Sequence, residues 1–286
     1  MAATITPEII EIVARALRED IGDGDVTTEC TVPSELWLTG RFISKAPGII
    51  AGLDIAEFVF NVLDERCTMS KIVIDGGAVH GNRETIALIE GPARALLTGE
   101  RTALNIMQRM SGIATAAHQF VSLLQGTKTQ ILDTRKTAPG LRILDKMAFK
   151  IGGGTNHRIG LYDMVMIKNN HVAACGGSIP RAVESVRIQD ARHRPIEVEV
   201  RDFAELNAAL EQNVDRIMLD NMTIEDTRKA VMIVAGRVPL EASGNVTLDK
   251  VPDIAATGVD FISTGSVTHS VQALDISMWL DEPRAR

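Results

Sequence analysis

A chain of 286 residues, 45% hydrophobic and 23% charged, can bury one large domain or two ordinary ones, and no apolar run approaches the roughly 18 residues that cross a bilayer. A net charge of −7 argues against a nucleic-acid surface, and three cysteines without a CxxC pair argue against a disulfide framework or zinc site. MAATITPEII has no basic segment leading into an apolar one, so the expected compartment is a reducing cytoplasm, with Cys30, Cys67 and Cys175 as small buried hydrophobes.

The first element reads as a helix: Thr6 can cap it, Pro7 suits its first position, and Ile9, Val13 and Leu17 form an apolar stripe. LREDIGDGDVTT follows; its aspartates lack the spacing and closing Glu of a calcium loop, so they read as turn and cap chemistry. Residues 36–98 read as strands around one helix. Leu36, Leu38 and Phe42 alternate around Gly40, and KIVIDGG and ETIALIEGP are further strands. The helix starts at Asp54 and carries Ile55, Phe58, Val59, Val62 and Leu63 on one side. From Thr98 to Gln125 the pattern is helical again, interrupted at Ser111-Gly112, and this first part amounts to a compact α+β domain.

After Gly126 the texture changes. The short aliphatic runs QILDT, MVMIK, IEVEV, RIMLD, PLEAS and DFIST alternate with helical stretches. Polar residues at or near their ends, Arg135, Lys168, Glu199, Asp220, Ser243 and Thr264, are spaced by 33, 31, 21, 23 and 21 residues, the length of a strand-helix unit. Six such units predict a parallel sheet closed incompletely into an α/β barrel, with the active site at the C-terminal ends of the strands. A doubly wound open sheet is the alternative. It ranks lower because such sheets gather ligands at one switch point, whereas here every strand ends in a polar residue.

Between Ile131 and Val172 seven Lys/Arg face three acids, 7 − 3 = +4, so the other residues sum to −7 − 4 = −11. One basic segment in an acidic chain points to a local anionic ligand, although Arg142, Lys146 and Lys150, spaced by four, read as a solvated helix face. GGGTNHRIG, residues 152–160, offers backbone freedom, close approach and free N–H groups beside Asn156, His157 and Arg158. Arg135 and Arg158 are planar forks suited to carboxylates or phosphates, and Lys136 and Lys168 are compact charges suited to phosphate; the ligand should be small and multiply anionic. Opposite them, Glu197 and Glu199 share one strand face and Asp220 ends the next strand. These acids either neutralise Lys136 and Lys168, or face hydroxyls, a Mg²⁺ ion, or a carbon that becomes cationic, such as a ribose C1. ASGN and STGS place Ser243, Gly244 and Asn245, then Thr264, Gly265 and Ser266, where barrels often hold a phosphate.

DTRKTAPGLR, GGGTNHRIGLYDMVMIKNNH, EVEV, IMLDN and EASGN, with EDIGDGDVTT and ERTALNIMQRMSGIAT, resemble the quinolinate phosphoribosyltransferase family nearly end to end, and the 133–171 block is highly specific. The resemblance implies a reaction joining quinolinate to phosphoribosyl pyrophosphate (PRPP) with Mg²⁺, giving nicotinate mononucleotide, pyrophosphate and CO₂. It implies an N-terminal sandwich domain over 1–112, an incomplete seven-stranded barrel over 113–269, and a helix over about 270–286 packing back on the first domain. Arg135, His157 and Arg158 match positions that hold the two quinolinate carboxylates. Lys136 and Lys168 match lysines near the pyrophosphate and substrate, and Glu199 and Asp220 match acids at the ribose hydroxyls and metal. These four are the expected catalytic residues. Ser243, Gly244, Ser263, Thr264 and Gly265 match the 5′-phosphate cradle, with Thr134 and Asn245 beside the substrates. Arg101 matches an arginine inserted from the neighbouring subunit of a homodimer, itself able to join a larger assembly of dimers.

Two departures stand out: Asn169 replaces a frequent Asp in KDNH, and Ala138 replaces a Thr in TRKTTPG. His157 could touch a carboxylate or orient Arg158, and contact is favoured. The rival readings are a Schiff-base lyase using Lys168, and a repurposed paralogue of the molybdenum-transport-associated kind. No nucleic-acid or membrane partner is expected.

Overall fold

The computed structural model describes residues 5–281. They form two compact units. The first takes the chain up to His118, Ala138–Gly153, and the chain from Ser270 on; the second takes Gln119–Thr137 and Gly154–His269. The boundary expected after residue 112 falls inside a helix, and the first unit also gathers the segment 138–153.

In the first unit, α1 (Pro7–Ile21) buries Ile9, Val13 and Leu17 as the stripe predicts, with Thr6 at the N-cap position but making no side-chain cap. Asp25 then caps α2 (Val26–Thr31): its Oδ1 accepts the Thr28 N–H at 3.0 Å and its Oδ2 accepts Thr98 Oγ1 at 2.9 Å, so the acidic turn is cap chemistry. Cys30 is exposed on this helix and Cys175 is half-buried; only Cys67 is the buried hydrophobe expected of all three. There follow β1 (Trp37–Ser44), β2 (Pro47–Ile49), α3 (Leu53–Leu63), β3 (Thr68–Lys71), β4 (Ala78–His80), β5 (Glu84–Pro92) and α4 (Ala93–Ser122). Phe42 of β1 and Phe60 of α3 are fully buried with ring centroids 6.2 Å apart, and Ile86, Ile89 and Leu96 complete this core.

Three expectations need correction here. The KIVIDGG strand stops at Lys71, because the Ile72 and Val73 amides both turn to the Ile86 carbonyl and the chain bends away. On α3 the buried face is Leu53, Ile55, Ala56, Val59 and Phe60, which leaves Val62 exposed. Helix α4 runs unbroken through Ser111-Gly112. Ser111 Oγ accepts the Ala51 N–H at 3.0 Å and donates to the Ala51 carbonyl at 3.2 Å, and a Cβ on Gly112 would stand 2.1 Å from the Gln272 carbonyl oxygen. Small residues there admit close neighbours; they do not break the helix.

The second unit begins with β6 (Gln130–Leu132). Helix α5 (Arg142–Ile151) belongs to the first unit and buries Leu144, Asp145, Lys146 and Phe149. Asp145 takes a two-pronged ion pair from Arg109, at 2.8 and 2.7 Å, and Lys146 is 1% exposed, so the solvated cationic face expected here does not hold for Lys146. The glycines after α5 also differ from expectation. The Gly152 and Gly153 amides bond to the Ala148 and Lys150 carbonyls, and a Cβ on Gly152 would lie 2.3 Å from the Ala114 carbonyl oxygen. They end and pack the helix, so their N–H groups are not free for a ligand.

From there the chain alternates strand and helix: β7 (Val165–Ile167), α6 (Asn169–Ala174), α7 (Ile179–Gln189), β8 (Ile196–Val200), α8 (Phe203–Leu210), β9 (Arg216–Asp220), α9 (Ile224–Val234), β10 (Leu240–Ser243), α10 (Val251–Ala255), β11 (Phe261–Ser263) and α11 (Ser266–His269). The six strands form one parallel sheet in the order β6-β11-β10-β9-β8-β7. This is an incomplete, open α/β barrel. On the free side of β6 a parallel bridge joins Leu132 to Thr155. The chain beyond it is held as a loop by Asp163, which accepts the Ile159 and Gly160 amides at 2.7 and 2.9 Å, so no seventh strand of this sheet forms among the described residues.

The last strand, β12 (Ile276–Leu280), pairs antiparallel with β1 and gives the first unit a sheet in the order β12-β1-β5-β3, with β2 and β4 paired separately. The helix expected over about 270–286 is therefore corrected to a strand within the described residues. In ISMWL the buried Ile276 and Met278 alternate with less buried neighbours, a period of two. Residues 282–286 lie outside the described range. No helix among the described residues is long and apolar enough to cross a membrane.

Candidate active site

Strand register decides which side chains meet. Leu132, Ser263, Ser243 and Asp220 are consecutive partners across β6, β11, β10 and β9, so the residues that follow them emerge along one rim. On β8 and β7, Val198 pairs with Ile167, and one step further Glu199 meets Lys168 as an ion pair of 2.8 Å. Within the second unit this rim encloses a cavity of about 770 Å³.

Four sets of side chains line it. From the β6 end come Thr134, Arg135 and Lys136, and from the loop before β7 come His157 and Arg158. Lys168, Glu199 and Asp220 follow on the next strand ends, and Ser243, Gly244, Asn245, Ser263, Thr264 and Gly265 close the circle. Every expected site residue of the second unit is thus on one hollow. Arg101 is not: in the first unit it borders a smaller hollow of about 340 Å³ with Asp25 and Thr98.

The hollow is polarised. Burial, and next to it the Arg135 guanidinium, weigh against the charge on Arg158, which places the two forks close together. A dianion would relieve that repulsion. Lys168 keeps 43% of its side chain exposed although Glu199 grips it, and that ion pair engages the amine that a Schiff-base role would need free. On the acidic wall, burial and then the Glu199 charge push the Asp220 pKa up. Asp220 Oδ1 accepts Asn221 Nδ2 at 3.0 Å, and Asn221 Oδ1 accepts Asn245 Nδ2 at 3.1 Å, a short relay of amides along the rim. At the small-residue corner, Thr264 Oγ1 and Ser266 Oγ are 2.8 Å apart and the Ser266 amide donates to Thr264 Oγ1.

His157 is 8% exposed at the cavity floor. Its Nε2 is 3.0 Å from Glu197 Oε2 and 3.3 Å from Glu241 Oε2. Burial opposes the imidazolium, but the two carboxylates outweigh it and raise its pKa to about 9. Its Nδ1 accepts the Arg158 amide N–H at 2.7 Å, a bond that works the other way because it needs that nitrogen unprotonated.

Lining residues that sequence reasoning missed include Glu241, Asn221, Thr247 and Lys250. Glu241 could have been found: in PLEAS it has the same strand parity as Ser243, so both face inward. Lys250 ends a short 3-10 turn (Leu248–Lys250) beyond β10, its Nζ 3.4 Å from the Asn245 carbonyl, and no periodicity marks it.

Magnesium prefers hard oxygen donors and commonly takes one or two carboxylates plus substrate phosphates. Glu199 and Asp220 fit that description: both are carboxylates on the cavity wall, close enough to raise the Asp220 pKa.

Two family models cover most of the chain, the quinolinate phosphoribosyl transferase N-terminal domain over residues 25–111 and its C-terminal domain over residues 113–279. The chain is 43% identical over 295 residues to a quinolinate phosphoribosyltransferase [decarboxylating] of Nicotiana tabacum, covering 96% of this chain and 83% of the relative. It is 44% identical to a probable nicotinate-nucleotide pyrophosphorylase [carboxylating] of Bacillus subtilis, covering 91% and 89%. Among solved structures it matches NadC from Streptococcus pyogenes with a TM-score of 0.93 at 36% identity, over 98% of this chain and 99% of that one. With a fold and sequence matched over nearly its whole length, the chain belongs to the quinolinate phosphoribosyltransferase family.

Proposed function

We propose that this protein transfers the phosphoribosyl group of PRPP to the ring nitrogen of quinolinate, with loss of CO₂, to give nicotinate mononucleotide and pyrophosphate for NAD synthesis. The observation that carries this is one cavity with Arg135, Arg158, Lys136 and Lys168 on one side and Glu199 and Asp220 on the other. A planar dicarboxylate suits the paired forks, and a sugar phosphate suits the acidic wall and the Ser/Gly corner. The full dicarboxylate-binding set is present, which speaks against a repurposed paralogue.

In this mechanism Arg135 and Arg158 clamp the two carboxylates and aim the pyridine nitrogen at ribose C1, an orientation effect worth several kcal/mol. As the C1–O bond to pyrophosphate breaks, Glu199 and Asp220 stabilise the cationic ribosyl centre and bind its hydroxyls. Lys136 and Lys168 draw charge from the departing pyrophosphate. Ser243, Gly244, Ser263, Thr264 and Gly265 hold the 5′-phosphate, with Thr134 and Asn245 beside them. Glu199 and Asp220 would hold Mg²⁺ together with PRPP, where the ion neutralises pyrophosphate charge. Once the ring nitrogen carries the ribosyl group, its positive charge stabilises the electron pair left on the adjacent ring carbon as CO₂ leaves, and that carbon takes a proton from water to give nicotinate mononucleotide. That step needs no strong protein base.

Arg101 completes the dicarboxylate site from the partner of a homodimer, which can assemble further, and the protein works in the cytoplasm. The direct test is incubation with quinolinate, PRPP and Mg²⁺: nicotinate mononucleotide and CO₂ should appear in equal amounts, and their absence ends this reading. The same assay tests the shared site. Arg101→Ala and Lys136→Ala proteins, each inactive alone, should recover up to about a quarter of wild-type activity when mixed and exchanged; no recovery excludes a shared site.

A further inference from the structure

Beneath the cavity the barrel interior is charged where parallel sheets normally bury aliphatic side chains. Glu197 on β8 and Glu241 on β10 are fully buried, with Arg216 on the strand between them. Arg216 Nη1 is 3.1 Å from Glu241 Oε2, and its guanidinium lies 4.3 Å from the centroid of the Phe261 ring. His157 completes the layer: its Nε2 faces both carboxylates, its Nδ1 takes the Arg158 amide, and its own backbone N–H donates to Asp133 Oδ1 at 2.7 Å. Neither glutamate has a role in the steps above. Yet isolated charges so deep cost several kcal/mol each, so the layer demands a reason.

Its geometry supplies one. Glu241 and His157 border the cavity while Glu197 is enclosed behind them. The Glu197 and Glu241 carboxyl groups face Nε2 at 3.0 and 3.3 Å, and the amide nitrogen 2.7 Å from Nδ1 is that of Arg158 itself, so the ring bridges the two glutamates and the Arg158 backbone. We propose that Glu197 and Glu241, braced by Arg216, are positioning residues: they lock the His157 ring and, through it, the segment that carries the Arg158 guanidinium into the quinolinate subsite. This rests on the reading of the cavity as a quinolinate site. A rigid fork must meet a planar carboxylate within a fraction of an ångström, so a loop that holds it needs such a lock.

His157, Glu197 and Glu241 bring ligand atoms within 4.8 Å of one another, a donor set for a divalent cation. Arg216 counts against that use, since a metal there would face a guanidinium already engaged with Glu241.

The test is a double-mutant cycle in steady-state kinetics. Glu241→Gln, which keeps the packing, should raise the KM for quinolinate about tenfold while the KM for PRPP stays within about twofold. In a His157→Ala background the same change should add less than about twofold, because the lock it serves is gone. Glu197→Gln should repeat both results, so failure of one variant to fold leaves the other decisive. Fully additive effects, or an unchanged KM for quinolinate, would overturn the proposal. So would stoichiometric metal in the purified protein that is lost in Glu241→Gln. A wild-type protein that does not consume quinolinate at all defeats the functional reading instead, and the two failures are told apart by that control.

Discussion

His157 carries a pH dependence whose sign can be worked out. The groups facing it are Glu197 on β8, Glu241 on β10 with Arg216 beside it on β9, Asp133 beyond β6, and Arg158 with Arg135 on the cavity side. Its pKa is raised from 6.5 to about 9, burial opposing the charge and the two carboxylates prevailing. A group raised in the folded state adds stability that is fully present below its unfolded value and is lost as pH climbs through the folded one. Stability should therefore fall as pH rises from about 7 to about 9.5, by about 2 kcal/mol, or several degrees of Tm. Thermal melts across that range in the wild type and in His157→Asn check it; the variant should show a flatter profile, and a flat wild-type profile would contradict the account. At this scale the sequence was legible where a residue ends a strand, as with Lys168 and Asp220. It was silent on Arg216 and misleading on Lys146, because a charged residue inside a strand or helix is seen to be buried only when its neighbours are in place.

Among the elements, the strand-helix alternation of the second unit was written in plain view: six aliphatic runs became six paired strands. The segments that deceived were those whose conformation depends on distant partners. ISMWL is too short to declare its period of two without β1 beside it, and Ser111-Gly112 resembles a break only while Ala51 and Gln272 are unseen. The glycine run at 152–154 was noticed for the right conformational freedom and given the wrong use. Gly152→Ala measures that use directly. Its φ is −70°, which alanine adopts freely, so the only penalty is the added Cβ 2.3 Å from a backbone carbonyl. Urea denaturation should show a loss of about 2–3 kcal/mol, as overpacking against immovable backbone implies. A loss under about 0.5 kcal/mol would mean the helix end is not packed as described.

For the whole molecule, the basic stretch between 131 and 172 in an otherwise acidic chain pointed to a small anionic ligand, and its fate is divided. Arg135, Lys136, Arg158 and Lys168 reach the cavity of the second unit, while Lys146 and Lys150 lie on α5 in the first. Charge clustering along a sequence thus located the site but did not say which charges belonged to it; strand register did. The central claim is that paired cations on one rim select a dianion. Calorimetric titration of the purified protein with quinolinate and, separately, with nicotinate tests it most directly. The second carboxylate should make quinolinate bind about a hundredfold more tightly, about 2.7 kcal/mol. Affinities within about threefold of each other would contradict it.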